Sequence, residues 1–255
     1  MTPPPDCIDR KAIGVPLTDK SGGGVKILRF LISWTLVWFL ALSSAAAAPA
    51  PDQERTILNA QRVLEEIMGT PDKAIPRDLL ARCKAIVIYP TVIKGGFIFG
   101  GRYGKGVVLR RDKKSGKFGP VAFVTMTGAS FGLQAGIQGT DLILLIMNND
   151  GIEGLLSTRL TLGGDMAISA GPIGRNAEIA TDLSLRAGIL SYSQSRGFYG
   201  GIALNGALII PDGKANAAYY GAPISSKDIL LDSRAPILPA SQRLIDALNR
   251  YSSGG

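Results

Sequence analysis

Residues 127–132 read TGASFG, and within them Gly128, Ser130 and Gly132 match the G-x-S-x-G spacing of a hydrolase nucleophile elbow. That motif works where a strand turns sharply into a helix, presents the serine hydroxyl and finds a histidine base beside it. The chain contains no histidine, so a Ser-His-Asp triad cannot be assembled. A serine–lysine pair has no S-x-x-K to rest on, and Ser130 stands between two strand-like runs. Ser130 therefore reads as structural, and no catalytic residue is assigned.

Other chemistries fare no better. Without histidine the commonest metal ligand and general base is missing, and the two cysteines, Cys7 and Cys83, cannot build a multi-thiolate zinc site. Asn148, Asp150 and Gly151 imitate the middle of a calcium loop. Ile146 and Ser157, however, occupy the positions where its first and last ligands belong, so a tight turn is expected. The run GGFIFGGRYGKG, residues 95–106, fails as a P-loop because Phe99 replaces the first glycine and Gly106 the Ser/Thr. No metal and no cofactor are expected. An enzyme working through Asp141, Glu153 or Asp165 stays open as a rival, needing two carboxylates about 5 to 9 Å apart in one pocket.

One constellation remains. Lys94, Arg102, Lys105, Arg110, Arg111, Lys113, Lys114 and Lys117 crowd into 24 residues with Asp112 as the only acid. Around RRDKKSGK the pattern predicts a hairpin whose tip carries five cations in eight residues. Cations beside an anionic bilayer each gain about 1 kcal/mol, strongly screened by salt. The same residues also suit a plain solvated loop. Stacking aromatics are not interleaved with them, so nucleic acid is not an expected partner.

These residues need a scaffold, and its pattern is legible. Ile57, Leu58, Val63, Leu64, Ile67 and Met68 recur at helical spacing after Pro51–Asp52, with Gly69 as a stop. IPRDLLARC predicts a short second helix with Pro76 near its first turn. From Ala85 the period changes to two, predicting strands at 85–89, 96–103, 106–110, 121–127, 131–138 and 141–147, with a turn at Gly139–Asp141. A short helix after Asn148, strands at 166–171, 187–193 and 197–210, and a closing helix with Leu244, Ile245, Leu248 and Tyr251 on one face complete the reading. Glycine is abundant, 32 residues of 255, which suits a bent sheet. The fold expected is a single α+β domain: a curved antiparallel sheet, barrel-like or sandwich, with N- and C-terminal helices packed on it.

The first 48 residues differ. Lys20, Lys26 and Arg29 precede the apolar run Phe30–Leu42, then SSAAAAPAP. A basic region, a hydrophobic core of about 13 residues and an A-x-A-like site read as a secretory signal, short for a span of roughly 20 residues. An uncleaved anchor is the alternative. Residues 1–48 are thus expected to be a long-leader signal peptide and 49–255 the working domain. Cleavage would leave 23 basic and 17 acidic residues, a surplus compatible with anionic surfaces.

Three stretches, AIVIYPTVIKGGFIFGGRYGKGVVL, GPVAFVTMTGASFGLQAGIQGTDLILLIMN and GPIGRNAEIATDLSLRAGILSYSQSRGFYGGIALNGALI, closely resemble the SYLF domain, also called the Ysc84 actin-binding or lipid-binding domain. The resemblance runs from about Thr56 to Leu231, and Lys94, Arg102 and Lys105 fall inside its glycine-rich signature. It implies binding of phosphoinositide or other anionic lipid, and actin binding in some eukaryotic members. Because the leader points to the periplasm or envelope of a bacterium, actin is expected to be an unlikely partner here. The leading expectation is non-catalytic binding of anionic lipid or a membrane surface. A cell-envelope scaffold or protein-interaction module is the alternative, and the oligomeric state is left open.

Overall fold

The first helix, α1 (Asp52–Met68), forms because its apolar residues recur every three to four positions. Ile57, Ala60, Val63, Leu64 and Ile67 are buried on it, while Leu58, one position on from Ile57 and so turned off the buried face, remains 45% exposed. Gly69 closes the helix with its N–H on the Glu65 carbonyl. The short helix α2 (Arg77–Arg82) follows, with Pro76 as its N-cap residue. The computed structural model describes residues 51–70, 74–173, 187–195, 198–200, 204–232 and 234–253, with the side chains of 96–99, 130–137 and 198–200 outside that description. The leader and its expected signal lie outside the described residues.

Two strands dominate what comes next. β1 (Ala85–Arg111) and β2 (Phe118–Ile146) are 27 and 29 residues long and pair antiparallel from Ala85↔Ile146 to Arg111↔Phe118. The six short strands expected from the glycine punctuation are therefore two long ones. The turn expected at Gly139–Asp141 does not exist, because Thr140 and Asp141 stay in register with Ser195 and Gln194. Glycine inside a strand here bends the ribbon without breaking its pairing.

The bend is sharp. Register shifts at Tyr89/Val92 and Gly96/Ile98 let β1 double back, so that the Arg111 N–H donates to the Lys84 carbonyl at 2.8 Å. Gly106 lies against Tyr89 and Ile88, and Gly104 against Val92 and Thr91. A Cβ on Gly106 would stand 2.5 Å from Tyr89 Cδ1 and 2.6 Å from the Ile88 carbonyl oxygen, so only glycine permits this approach.

Shorter elements complete the sheet: α3 (Asn149–Leu156), β3 (Leu160–Thr161), β4 (Ile168–Ala170), β5 (Ile189–Ser195), β6 (Phe198–Gly200) and β7 (Leu208–Pro211). The order is β3-β7-β2-β5-β4, with β1 on β2 and β6 on β5. β4 and β5 run parallel, so the sheet is mixed where the sequence pattern predicts an antiparallel one. The strand expected over 197–210 is interrupted, since Ala207 N–H bonds to Leu204 O in a turn before β7.

Three helices follow: α4 (Gly213–Tyr220), α5 (Ser226–Leu230) and α6 (Pro239–Ser252). Only α6 shows in the periodicity. Where Ala85–Tyr89, Gly106–Leu109 and Leu142–Ile146 run, both faces of the sheet are covered. Ile86, Ile88, Val107, Leu109, Ile143 and Leu145 pack under α1, α2 and α6. Val87, Tyr89, Val108, Leu142 and Leu144 pack with residues of α3, α5 and β7 on the other side. Strands buried on both faces read as continuous apolar runs, which explains ILLIM-type stretches without a membrane. Residues 50–255 form one compact α+β unit. Among the described residues no helix is long and apolar enough to cross a membrane.

Candidate functional site

The β1–β2 connection is a six-residue turn, Asp112–Lys117, and its shape is set by one carboxylate. Asp112 Oδ1 accepts from Lys114 N at 3.1 Å, Ser115 N at 2.7 Å and Ser115 Oγ at 2.9 Å. These bonds, those of Ser115 first, hold the Asp112 carboxyl below its ordinary range. Gly116 takes φ +68°, and the Asp112 N–H closes the turn on Lys117 O at 2.8 Å. Lys113, Lys114 and Lys117 are all exposed. None has an ion-pair partner among the described residues.

The two arginines of the same cluster behave differently. Arg111 is half-buried: its Nε donates to Cys83 O at 3.3 Å, Nη2 to Leu80 O at 2.8 Å and Nη1 to Gly116 O, and its guanidinium stands 4.4 Å from the Phe118 ring centroid. It satisfies orphan carbonyls at the C-terminal end of α2, where a cation is favoured. Arg110 Nη1 donates to Leu230 O at the end of α5, 2.9 Å away. The sequence places five cations at the tip; the fold leaves three of them to solvent.

The remaining three lie elsewhere. Lys94 is exposed and Arg102 half-buried on either side of the bend in β1. Burial lowers the Arg102 pKa. Lys105 is exposed at a notch formed with Asp52, Gln53, Thr56 and Asp212. At about 3.3 Å per residue, Arg102 and the turn are separated along β1 by most of the strand's second half. The eight residues thus make two groups, five at the β1–β2 turn and three in the middle of β1 around its bend.

Sequence reading also misses neighbours that only the fold supplies. Arg82 and Lys84 are exposed and flank Cys83, whose carbonyl Arg111 holds. Arg250 is exposed on α6, next to Asn249, whose Oδ1 accepts the Phe118 N–H at 2.9 Å. Nothing in the local pattern of these residues marks them; chain segments 28 to 131 residues apart meet here.

The residues weighed for bond-making chemistry are dispersed. Ser130 sits in mid-strand opposite Gly100, with no strand-to-helix turn. The Cys83 thiol is fully buried, donates to Leu80 O and is pushed up to about 12 by burial. Asn148 caps α3 by accepting the Gly151 N–H at 2.9 Å, so the calcium-loop look-alike is a helix N-cap. Asp165 accepts from Thr161 N in a turn, Glu153 is exposed on α3, and Asp141 lies on β2. Among the described residues no three acidic, cysteine or histidine side chains converge as metal ligands.

Fold and site together define an α+β domain with cationic loops, and its relatives are named for what they bind or regulate. Residues 127–251 match the Ysc84 family, described as "Las17-binding protein actin regulator". "LAS seventeen-binding protein 3" of Saccharomyces cerevisiae is 35% identical over 193 residues, covering 72% of this chain and 41% of that protein. "Protein YSC84" of the same yeast is 34% identical over 180 residues (69% and 38%). The rat "SH3 domain-containing YSC84-like protein 1" is 32% identical over 183 residues (71% and 53%). The chain belongs to the Ysc84, or SYLF, family, and it spans about two fifths to one half of these relatives' lengths.

This corrects one expectation. The case against actin as a partner rests on the leader alone. The family to which the domain belongs is described as an actin regulator, which implicates actin-related partners. Residues 1–48 lie outside the segment, 127–251, that the family model matches.

Proposed function

We propose that this chain is a non-catalytic binding module that attaches to anionic surfaces through the β1–β2 turn. Lys113, Lys114 and Lys117 are the primary contacts, and Arg82, Lys84 and Arg250 extend the positive field around them. The single observation that carries the reading is the turn itself: three exposed lysines within five residues, held in shape by Asp112. A preorganised cationic loop loses little entropy on binding, and anionic headgroups are the surface it suits best. Lys94, Arg102 and Lys105, around the bend of β1, form a second, separate contact. We further propose that residues 1–48 direct export and are removed, which places the module in a bacterial periplasm or envelope.

A second reading is favoured by the family description: the same lysines engage an acidic protein surface of the actin-regulatory type. Cosedimentation separates the two. The purified domain is spun with phosphatidylglycerol-containing vesicles, with phosphatidylcholine vesicles, and with actin filaments, each at about 50 and 300 mM salt. Salt-sensitive pelleting with anionic vesicles alone supports the lipid reading. Pelleting with filaments alone supports the protein reading, and pelleting with neither removes both. The mass of the exported protein's N-terminus tests the processing proposal.

A further inference from the structure

Asp141 takes no part in the cationic turn or its surroundings, and its position is unusual. Ile143 and Leu145 of β2 point into the core beneath Ile57, Val63, Leu64 and Ile67 of α1. Side chains alternate along a strand, so Asp141, two residues before Ile143, faces the same way at the margin of the helix. It is half-buried, beside the fully buried Leu142 and the nearly buried Thr140. Its strand neighbours bring no cation: Gln194 stands opposite on β5, and on β1 the chain bulges between Tyr89 and Val92, where Pro90 and Thr91 lie.

The charges that act on Asp141 come from α1. They are Glu66, which opposes ionisation, and Arg62, which favours it. Arg62 is shared, since its Nε lies 3.8 Å from Glu66 Oε1. Among the described residues Asp141 itself has no ion-pair partner within 4.0 Å. α1 carries Glu65 and Glu66 near its C-terminus and no basic residue in its last turn. A carboxylate beside a helix C-terminus is unfavourable. Burial, then Glu66, with Arg62 offsetting part of it, push the Asp141 carboxyl up to about 6.

We propose that Asp141 and the C-terminal turns of α1 form a pH-operated latch. With Asp141 protonated, the last two turns of α1 seat on the sheet. When Asp141 ionises, its repulsion with Glu66 and the helix terminus loosens those turns, while the N-terminal half of α1 stays docked. The sign follows from linkage. A carboxyl whose folded pKa is raised contributes stability that is present below its ordinary value near 4 and is lost as the pH rises through about 6. The seated state is therefore the acidic one.

Amide hydrogen exchange on the full domain tests this at pH 5.0 and 7.5, corrected for intrinsic rates. In the unaltered protein, opening of the amides from Glu65 to Gly69 should rise severalfold at pH 7.5. The limit is about tenfold for a midpoint moved from near 4 to about 6, and partial solvent screening reduces it. Amides of Ile57 to Ala60 should not change. Asp141→Asn should abolish the pH dependence and hold the last turns at their pH 5.0 protection. Equal protection at both pH values, a uniform change along all of α1, or an unchanged response in Asp141→Asn would overturn the proposal. Should that variant fail to fold, a carboxyl-carbon NMR titration of the unaltered protein decides: a midpoint near 6 agrees, and one near 4 refutes.

Discussion

The guanidinium of Arg111 closes on the main-chain carbonyl of Cys83, Nε to O at 3.3 Å, and thereby ties the tip of the β1–β2 ribbon to the end of α2. Its other nitrogens reach Leu80 O and Gly116 O, so one side chain spans the helix end, the strand and the turn. The lysines of the turn inherit their fixed position from that bond set. Arg111→Met should keep the packing on Phe118 and lose the donors, leaving carbonyls short of partners at about 1–3 kcal/mol in all. Urea unfolding checks this. Arg111→Lys should recover only part of the loss, because an ammonium cannot fork between carbonyls as a guanidinium does.

Among the glycines of β1 and β2 whose surroundings are described, Gly106 should be the least replaceable. A methyl there overlaps the Tyr89 ring and the Ile88 carbonyl, and overpacking of this kind costs about 1–3 kcal/mol or prevents folding. Gly213, at the start of α4, has open space within 4 Å of where a Cβ would stand. Gly213→Ala should be neutral or slightly stabilising, since alanine favours helix over glycine by up to about 1 kcal/mol. Thermal melts of the two variants side by side test the contrast.

Asn216 is fully buried on α4, where its Oδ1 accepts from Phe123 N at 2.8 Å and its Nδ2 donates to Ser226 Oγ at 3.1 Å. It joins β2 to α4 and α5. Asn216→Ala strands a buried strand N–H and should cost about 1–3 kcal/mol. Asn216→Leu should be no better, as the N–H remains unpaired. Denaturant midpoints at constant m-value report the loss.

Much of this architecture is legible in the residues, and the failures have physical causes. α1, α2 and α6 follow from apolar spacing and from Pro76 and Gly69. The charged RRDKKSGK turn is equally plain. The fusion of six expected strands into two is not, because a glycine's local signal is the same whether it ends a strand or lets two backbones approach. Gly106 is of the second kind, which only Tyr89, 17 residues earlier, reveals. α4 leaves no periodic signal because Gly213–Tyr220 has no apolar stripe and is held by the Asp212 cap and the Asn216 bonds. At the site, Lys113, Lys114 and Lys117 stand where a hairpin tip puts them. Arg110 and Arg111 do not, since their partners at Leu230 and Leu80 are distant in sequence.

Stability should depend on pH with a maximum at about pH 4–5. Asp112, Asp165 and Asp228 have carboxyls held below their ordinary value by hydrogen bonds, from Ser115, Thr161 and Ser225 respectively. Their contribution is present above about pH 4 and is lost as the pH falls through their lowered folded values. Asp141 acts in the opposite sense and loses its contribution as the pH rises towards about 6. Urea midpoints from about pH 3 to 8 check the shape. In Asp141→Asn the decline on the neutral side should flatten while the acid side stays the same.

The central claim is that the β1–β2 turn, and no bond-making centre, is the working part of the domain. The most direct measurement is the affinity of the Lys113→Glu, Lys114→Glu, Lys117→Glu variant for vesicles containing phosphatidylglycerol, at low salt, with circular dichroism verifying its fold. At about 1 kcal/mol for each lysine near an anionic surface, binding should weaken by at least tenfold and lose most of its salt dependence. A folded triple variant that binds such vesicles as tightly as the unaltered protein would contradict the account.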